Sequence, residues 1–209
     1  MLLAMANPQD SISPKQIIEF NDQGYLVLKK LINPDLISVF ENYALMQRFN
    51  NYYLSHEETN SMWRYSDVFG ESLLLYLQPL MEKLAARKLF PTNSVLRIYQ
   101  KGGKLKRHLD RSTCEFSITL TIGYESRDIY PIWLESDNKS IAVNLERGDM
   151  MIYKGCDIPH WREEFEGRHW IQLFLHYVDA KGKYADFKYD GRLMVGLNKG
   201  KVLVNKQAQ

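Results

Sequence analysis

The chain has 209 residues, a formal charge of +2 and an apolar fraction of 45%. That length suits one domain with a sizeable core, and so small a charge does not suggest the basic footprint of a nucleic-acid-binding surface. No apolar run is long enough to span a bilayer, so neither a nucleic-acid nor a membrane partner is expected. Cys114 and Cys156 make no disulfide framework, and a reduced, cytoplasmic protein is the expectation. The first ten residues contain Leu2, Leu3 and Met5 but no basic stretch, which argues against a secretion signal.

In chain order, Ser13-Pro14 reads as a helix start, with Ser13 as cap and Pro14 at the first position, and Gly24 as the stop. Tyr25 to Leu28 is a short β-like run. Asn33-Pro34-Asp35 opens a second helix, with Leu36, Val39, Phe40 and Tyr43 at helical spacing. A third helix is predicted over about Ser72 to Lys88, with Leu73, Leu77, Leu80, Met81 and Leu84 on one face and Pro79 expected to kink or split it. Met62-Trp63-Arg64-Tyr65, between these helices, reads as a loop that covers a substrate or simply packs.

From residue 94 the period changes to that of strands. Val95 to Tyr99 is a strand, and Lys101-Gly102-Gly103 a turn. Between Glu115 and Ile122, Phe116, Ile118, Leu120 and Ile122 take one face, and Ser117, Thr119 and Thr121 the other. Pro131 to Leu134, Ile141 to Leu145, Met150 to Tyr153 and Trp170 to Val178 are further strands, with Arg147-Gly148-Asp149 at a tight turn. Helices followed by closely spaced strands indicate an α+β protein with a jelly-roll core. Residues 1–93 form a mainly helical support, 94–178 the core and 179–209 a peripheral hairpin or loose tail, all within a single domain.

The residues that point to chemistry are His108-Leu109-Asp110 and, fifty positions on, His160. Side chains alternate along an extended segment, so His108 and Asp110 point to one side. A histidine from a distant strand completes one triangular face of a metal site. Two imidazoles and a carboxylate that leave the opposite positions open are the ligand set of non-haem Fe(II) oxygenases. Cys114 and Cys156 each lie four positions from a ligand but read as structural thiols. His176, on an apolar strand, reads as a structural histidine. Trp161 and Trp170 either wall a substrate site or pack.

Leu96-Arg97-Ile98-Tyr99-Gln100-Lys101-Gly102-Gly103, His108-Leu109-Asp110, Gly148-Asp149-Met150-Met151-Ile152-Tyr153, Pro159-His160 and Gly167-Arg168 follow one another along the chain. Together these stretches resemble the 2-oxoglutarate/Fe(II)-dependent dioxygenases, near their phytanoyl-CoA hydroxylase and prolyl hydroxylase branches. More loosely, residues 20–28 are similar to the opening of the phytanoyl-type members.

The resemblance implies a double-stranded β-helix, the cupin-like form of the jelly roll, with the N-terminal helices packed on one sheet. It also implies Fe(II) on His108, Asp110 and His160, and 2-oxoglutarate as co-substrate. The reaction implied is hydroxylation of an unactivated C–H bond in a small molecule or peptide, with 2-oxoglutarate and O₂ converted to succinate and CO₂. Arg168 is the favoured partner for the far carboxylate of 2-oxoglutarate, because a planar guanidinium reads a carboxylate bidentately. Arg162, His169 and Arg111 are its alternatives. Tyr99 is expected to help hold the co-substrate, and Thr119, with Ser117 and Thr121, to supply hydroxyls or else face solvent. A cupin-like metal enzyme or binding protein that does not use 2-oxoglutarate is the alternative reading.

Overall fold

The structure, a computed structural model, describes residues 8–197. Leu2, Leu3 and Met5, and the tail beyond residue 197, lie outside the described residues. In chain order come α1 (Pro14–Gln23), β1 (Tyr25–Leu28), α2 (Pro34–Gln47), β2 (Leu54–His56), β3 (Ser61–Tyr65), α3 (Val68–Ala85) and β4 (Leu89–Gln100). Then follow β5 (Leu105–His108), β6 (Phe116–Glu125), β7 (Ile132–Ser136), β8 (Lys139–Val143), β9 (Met150–Lys154), β10 (His160–Arg162) and β11 (His169–Asp179).

The helix ends follow from local chemistry. Ser13 Oγ accepts the Gln16 N–H at 3.4 Å while the Gln16 side chain accepts the Ser13 N–H at 2.9 Å, a reciprocal cap. Gly24 ends α1 at φ +77°, a left-handed position that glycine adopts without strain. Asn33 caps α2. Asp67 caps α3 by accepting the Gly70 N–H at 2.8 Å, so this helix starts four residues before the predicted Ser72. Pro79 does not split it. Pro79 and Leu75 both face solvent, so the Leu75 carbonyl that proline leaves without its helical donor is exposed to water.

Seven strands in the order β1-β9-β6-β11-β4-β3-β2 form the larger sheet, and β5-β10-β7-β8 the smaller. Every strand pairing among the described residues is antiparallel. The segment Met62–Tyr65 is therefore not a loop: it is strand β3, paired with β4 from Ser61↔Tyr99 to Tyr65↔Val95. His160 opens strand β10, in keeping with its expected arrival from a distant strand.

The larger sheet is buried on both faces. Ile118, Leu120, Ile122, Ile152, Leu173, Leu175, Leu96 and Ile98 pack outward against Phe20 of α1, Ile37 and Phe40 of α2 and Leu74 and Leu77 of α3. The opposite face meets the smaller sheet, where Ile132, Leu134 and Val143 pack against Met151 and Tyr153. Ser117, Thr119 and Thr121 therefore line the space between the sheets, fully buried, rather than a solvated surface. Asp149 holds the predicted tight turn. Its buried carboxylate accepts from the Glu146 N–H at 2.9 Å and the Lys29 ammonium at 2.8 Å, with Gly148 at φ +82°.

Part of the expected α2 stripe does not reach the core. Ile37, Phe40 and Ala44 are buried, whereas Leu36 and Val39 stay 37% and 57% exposed beside Val68 and Tyr76 of α3. The C-terminal stretch to residue 197 is neither hairpin nor loose tail. Arg192 forms a buried ion pair with Glu71 of α3 at 2.6 Å, and Asp190 is buried against Arg111. No helix among the described residues is long and apolar enough to cross a membrane.

Gly70 brings α3 onto the sheet so closely that a Cβ there would lie 2.9 Å from Leu173 Cδ1. Truncating Leu173 to alanine is expected to lower the unfolding free energy by about 2–5 kcal/mol, read by urea denaturation.

Candidate metal centre

His108 ends β5 and His160 begins β10. The two strands pair so that these residues stand directly opposite each other, with ring centroids 4.3 Å apart. Each ring is anchored through Nδ1 to a carbonyl two residues earlier, Lys106 O at 2.8 Å and Ile158 O at 2.9 Å. Donation from Nδ1 leaves the Nε2 lone pair of both rings available to a metal. Asp110 lies two residues past β5, its N–H donating to Gly155 O at 2.9 Å. Its Oδ1 is 3.6 Å from both Nε2 atoms. Its Oδ2 accepts from Ser117 Oγ at 3.2 Å. The three donor atoms lie within 4.8 Å of one another, and the 3.6 Å separation of Oδ1 from each Nε2 fits two ligand bonds of about 2.1 Å to one cation.

The electrostatics favour a cation here. Burial pushes the Asp110 carboxyl up, but hydrogen bonds to His108 and His160 outweigh it and hold the group well below the usual carboxylate range. The same carboxylate raises His108 against the opposing effect of burial. A mostly buried carboxylate facing two imidazoles is costly unless paired, and a divalent metal pairs it. Cys114, Asp110 and His176 form a second grouping that shares the carboxylate. Burial pushes the Cys114 thiol up to about 12, so it stays protonated and is a poor ligand. His176, pushed down to about 4 by burial, is neutral and bonded through Nδ1 to Ser117 Oγ at 2.9 Å.

No protein-family model matches the chain, and no curated protein matches it. Solved structures do. A prolyl-4-hydroxylase from Pseudomonas putida superposes with a TM-score of 0.67 at 14% identity, covering 79% of this chain and 97% of that one. The non-haem α-ketoglutarate-dependent carbocyclase SnoK from nogalamycin biosynthesis gives 0.70 at 12% identity, over 82% and 86% of the two chains. HygX from Streptomyces hygroscopicus, with nickel and 2-oxoglutarate bound, gives 0.68 at 9% identity, over 82% and 89%. The fold is the double-stranded β-helix of the 2-oxoglutarate-dependent oxygenases. In this chain the triad opens into the space between the two sheets of the β-helix, onto a cavity of about 120 Å³ whose walls include Arg97, Tyr99, Tyr153, Phe174 and His176.

The β-helix brings some of the expected residues to that cavity and leaves others outside. Arg168, the favoured co-substrate residue, does not reach it. It precedes β11, stays 77% exposed and pairs with Glu125 at 3.1 Å. The alternative Arg162 is buried in the β-helix without lining the cavity: two residues beyond His160 on β10, its guanidinium sits over the Tyr130, Tyr99 and Trp170 rings, and Tyr99 does line the cavity. Arg111 turns to Asp190 at 2.9 Å, and His169 lies 3.7 Å from Glu125. Tyr99 lines the cavity with its hydroxyl buried and without a hydrogen-bond partner. Thr119 Oγ1 accepts from Gln172 Nε2 at 2.7 Å. Trp170 is buried beneath Arg162, and Trp161 stacks on Trp133.

Three residues of the site escaped the sequence reading. Gln172 joins Arg162 Nη2, at 3.2 Å, to Thr119, and Arg97 and His176 line the cavity. Alternation along β11 held a usable signal, because Gln172 and His176 are polar positions on one face of an otherwise apolar strand.

Gly155 packs against the metal centre without room for a side chain. A Cβ there would collide with Asp110 Oδ2 and lie 2.5 Å from Cys114 O. Gly155→Ala should displace the carboxylate and weaken Fe(II) or Co(II) affinity about 10–100-fold by calorimetry, the range for loss of ligand support. His108→Ala should abolish binding at this site.

Proposed function

We propose that this protein is an Fe(II)- and 2-oxoglutarate-dependent oxygenase that hydroxylates an unactivated C–H bond, releasing succinate and CO₂. The observation that carries this reading is Arg162: a buried guanidinium, two residues along the strand from a metal ligand, with no carboxylate partner among the described residues. Burial lowers its pKa, yet arginine starts high enough to remain charged. A buried cation without a counter-ion is expensive, and the far carboxylate of 2-oxoglutarate would neutralise it.

The surrounding groups suit that role. Arg162 Nη1 donates to Tyr130 O at 2.5 Å and Nη2 to Gln172 Oε1, which fixes the plane of the guanidinium, while Nε is buried without a partner. The unpartnered Tyr99 hydroxyl is a second donor for the same carboxylate. Thr119 accepts from Gln172, which leaves its own hydroxyl proton to donate. Trp170 Nε1 bonds Gln172 Oε1 at 2.8 Å and so holds the amide that orients both Arg162 and Thr119. His108, Asp110 and His160 would hold Fe(II), with the opposite side open to the keto acid and O₂. Fe(II) with 2-oxoglutarate supplies the O₂ activation that the reaction needs. A prolyl-4-hydroxylase is among the similar structures, which agrees with hydroxylation, and a carbocyclase shares the same fold.

Anaerobic protein mixed with Fe(II) and 2-oxoglutarate is expected to develop a weak visible metal-to-ligand charge-transfer band, and to release succinate in air. Arg162→Met should raise the dissociation constant for 2-oxoglutarate at least about tenfold, since a charged hydrogen bond contributes about 1.5–3 kcal/mol. Arg168→Ala should leave it unchanged. No band and no succinate would overturn the reading, and a loss of affinity in Arg168→Ala with none in Arg162→Met would move the carboxylate partner.

A further inference from the structure

The arginine that lines the cavity itself is Arg97, which the proposed co-substrate reading leaves without a role. Arg97 of β4 stands on the inner face two residues before Tyr99, opposite Trp63 of β3 and Gln172 of β11. It lines the same cavity as the metal triad. Its guanidinium lies 5.7 Å from the Tyr99 ring centroid, the same distance as that of Arg162. Two cations thus flank one tyrosine, and neither has a carboxylate partner among the described residues. The far carboxylate of 2-oxoglutarate carries a single negative charge, which offsets only one of the two.

The two arginines differ in what holds them. Arg162 is fully buried and tied through Gln172 to Thr119, inside the β-helix core. Arg97 is half-buried and tied to the β2–β3 hairpin, with Nη1 donating to Thr59 Oγ1 at 2.9 Å. Thr59 is itself fixed by Ser61 Oγ at 2.7 Å and His56 Nδ1 at 3.1 Å. With Nη1 engaged, the other edge of the guanidinium, Nε and Nη2, has no partner among the described residues, and Nε is buried. That edge presents two parallel N–H groups, the geometry that grips a planar carboxylate bidentately. Trp63, directly across the strand pair, supplies an apolar wall beside it.

From this arrangement we infer that Arg97 is the specificity-determining residue for the prime substrate, and that this substrate is a small carboxylic acid. Its carboxylate sits on the Nε/Nη2 edge of Arg97, and its carbon chain runs along Trp63 toward the metal. The inference rests on the oxygenase reading for the identity of the reaction, but the acid-binding edge of Arg97 is measurable without it.

The test uses the anaerobic protein loaded with Fe(II) and 2-oxoglutarate, titrated by calorimetry with hexanoate, phenylacetate and cyclohexanecarboxylate and with the primary amide of each. The acids are expected to bind at least about tenfold tighter than their amides, the worth of a charged hydrogen-bond pair. Arg97→Met should erase that preference, Arg97→Lys should restore part of it, and both should leave 2-oxoglutarate affinity within about twofold of wild type. Equal binding of acids and amides would overturn the inference. So would a tenfold loss of 2-oxoglutarate affinity in Arg97→Met, which would make Arg97 the co-substrate's residue. The same titration followed by tryptophan fluorescence in the metal-free protein separates the two readings. Acid preference there that Arg97→Met abolishes supports the inference even if no charge-transfer band forms, whereas a missing band alone counts against the oxygenase reading.

Discussion

The seven-stranded sheet is buried on both faces, and the two faces have opposite polarity. On β6 and β11 the outward residues are Ile118, Leu120, Leu173 and Leu175, which the three helices cover. The inward ones include Ser117, Thr119, Thr121, Gln172 and His176, which no water-exposed surface can satisfy. Buried polar groups must find partners or cost free energy. In this protein they find one another: Thr119 and Arg162 through Gln172, and Asp110 and His176 through Ser117. The polar interior is thereby ordered into a metal end and an arginine end.

That division explains why the two ends behave differently. At the metal end Asp110 is faced by the Nε2 atoms of two imidazoles, each ring held through Nδ1 by the Lys106 or Ile158 carbonyl. At the other end positive charge is in excess, with Arg162 and Arg97 on either side of Tyr99. A cation at one end and carboxylates at the other would neutralise both. The aromatic floor of Tyr130, Phe165 and Trp170 excludes water from beneath Arg162, which strengthens any interaction made there.

Much of this was legible from residue order. Period-two alternation over β6 separated the core face from the lumen face correctly, and Ser13 with Gly24 marked both ends of α1. The strands that were missed, β2, β3, β5 and β10, run only three to five residues. They also carry polar or charged residues in place of an apolar run such as Tyr25–Leu28, so their strand character comes from the neighbour they pair with. Leu36 and Val39 show the opposite failure. Helical spacing placed them on the α2 stripe, but spacing does not say how wide a stripe the sheet will cover.

The sequence by itself determined the fold class and the candidate triad of His108, Asp110 and His160, because alternation and ligand type are properties of the local chain. Which of Arg162 and Arg168 is buried was decided by tertiary structure alone. Arg168 lies just ahead of β11, where the chain is still at the surface and Glu125 meets it. Arg162 follows His160 by one pleat, so the pairing of β10 with β5 that aims the histidine at the metal site also carries the guanidinium inside. No spacing rule along one strand can reveal that, because the choice depends on which neighbouring strand supplies the wall.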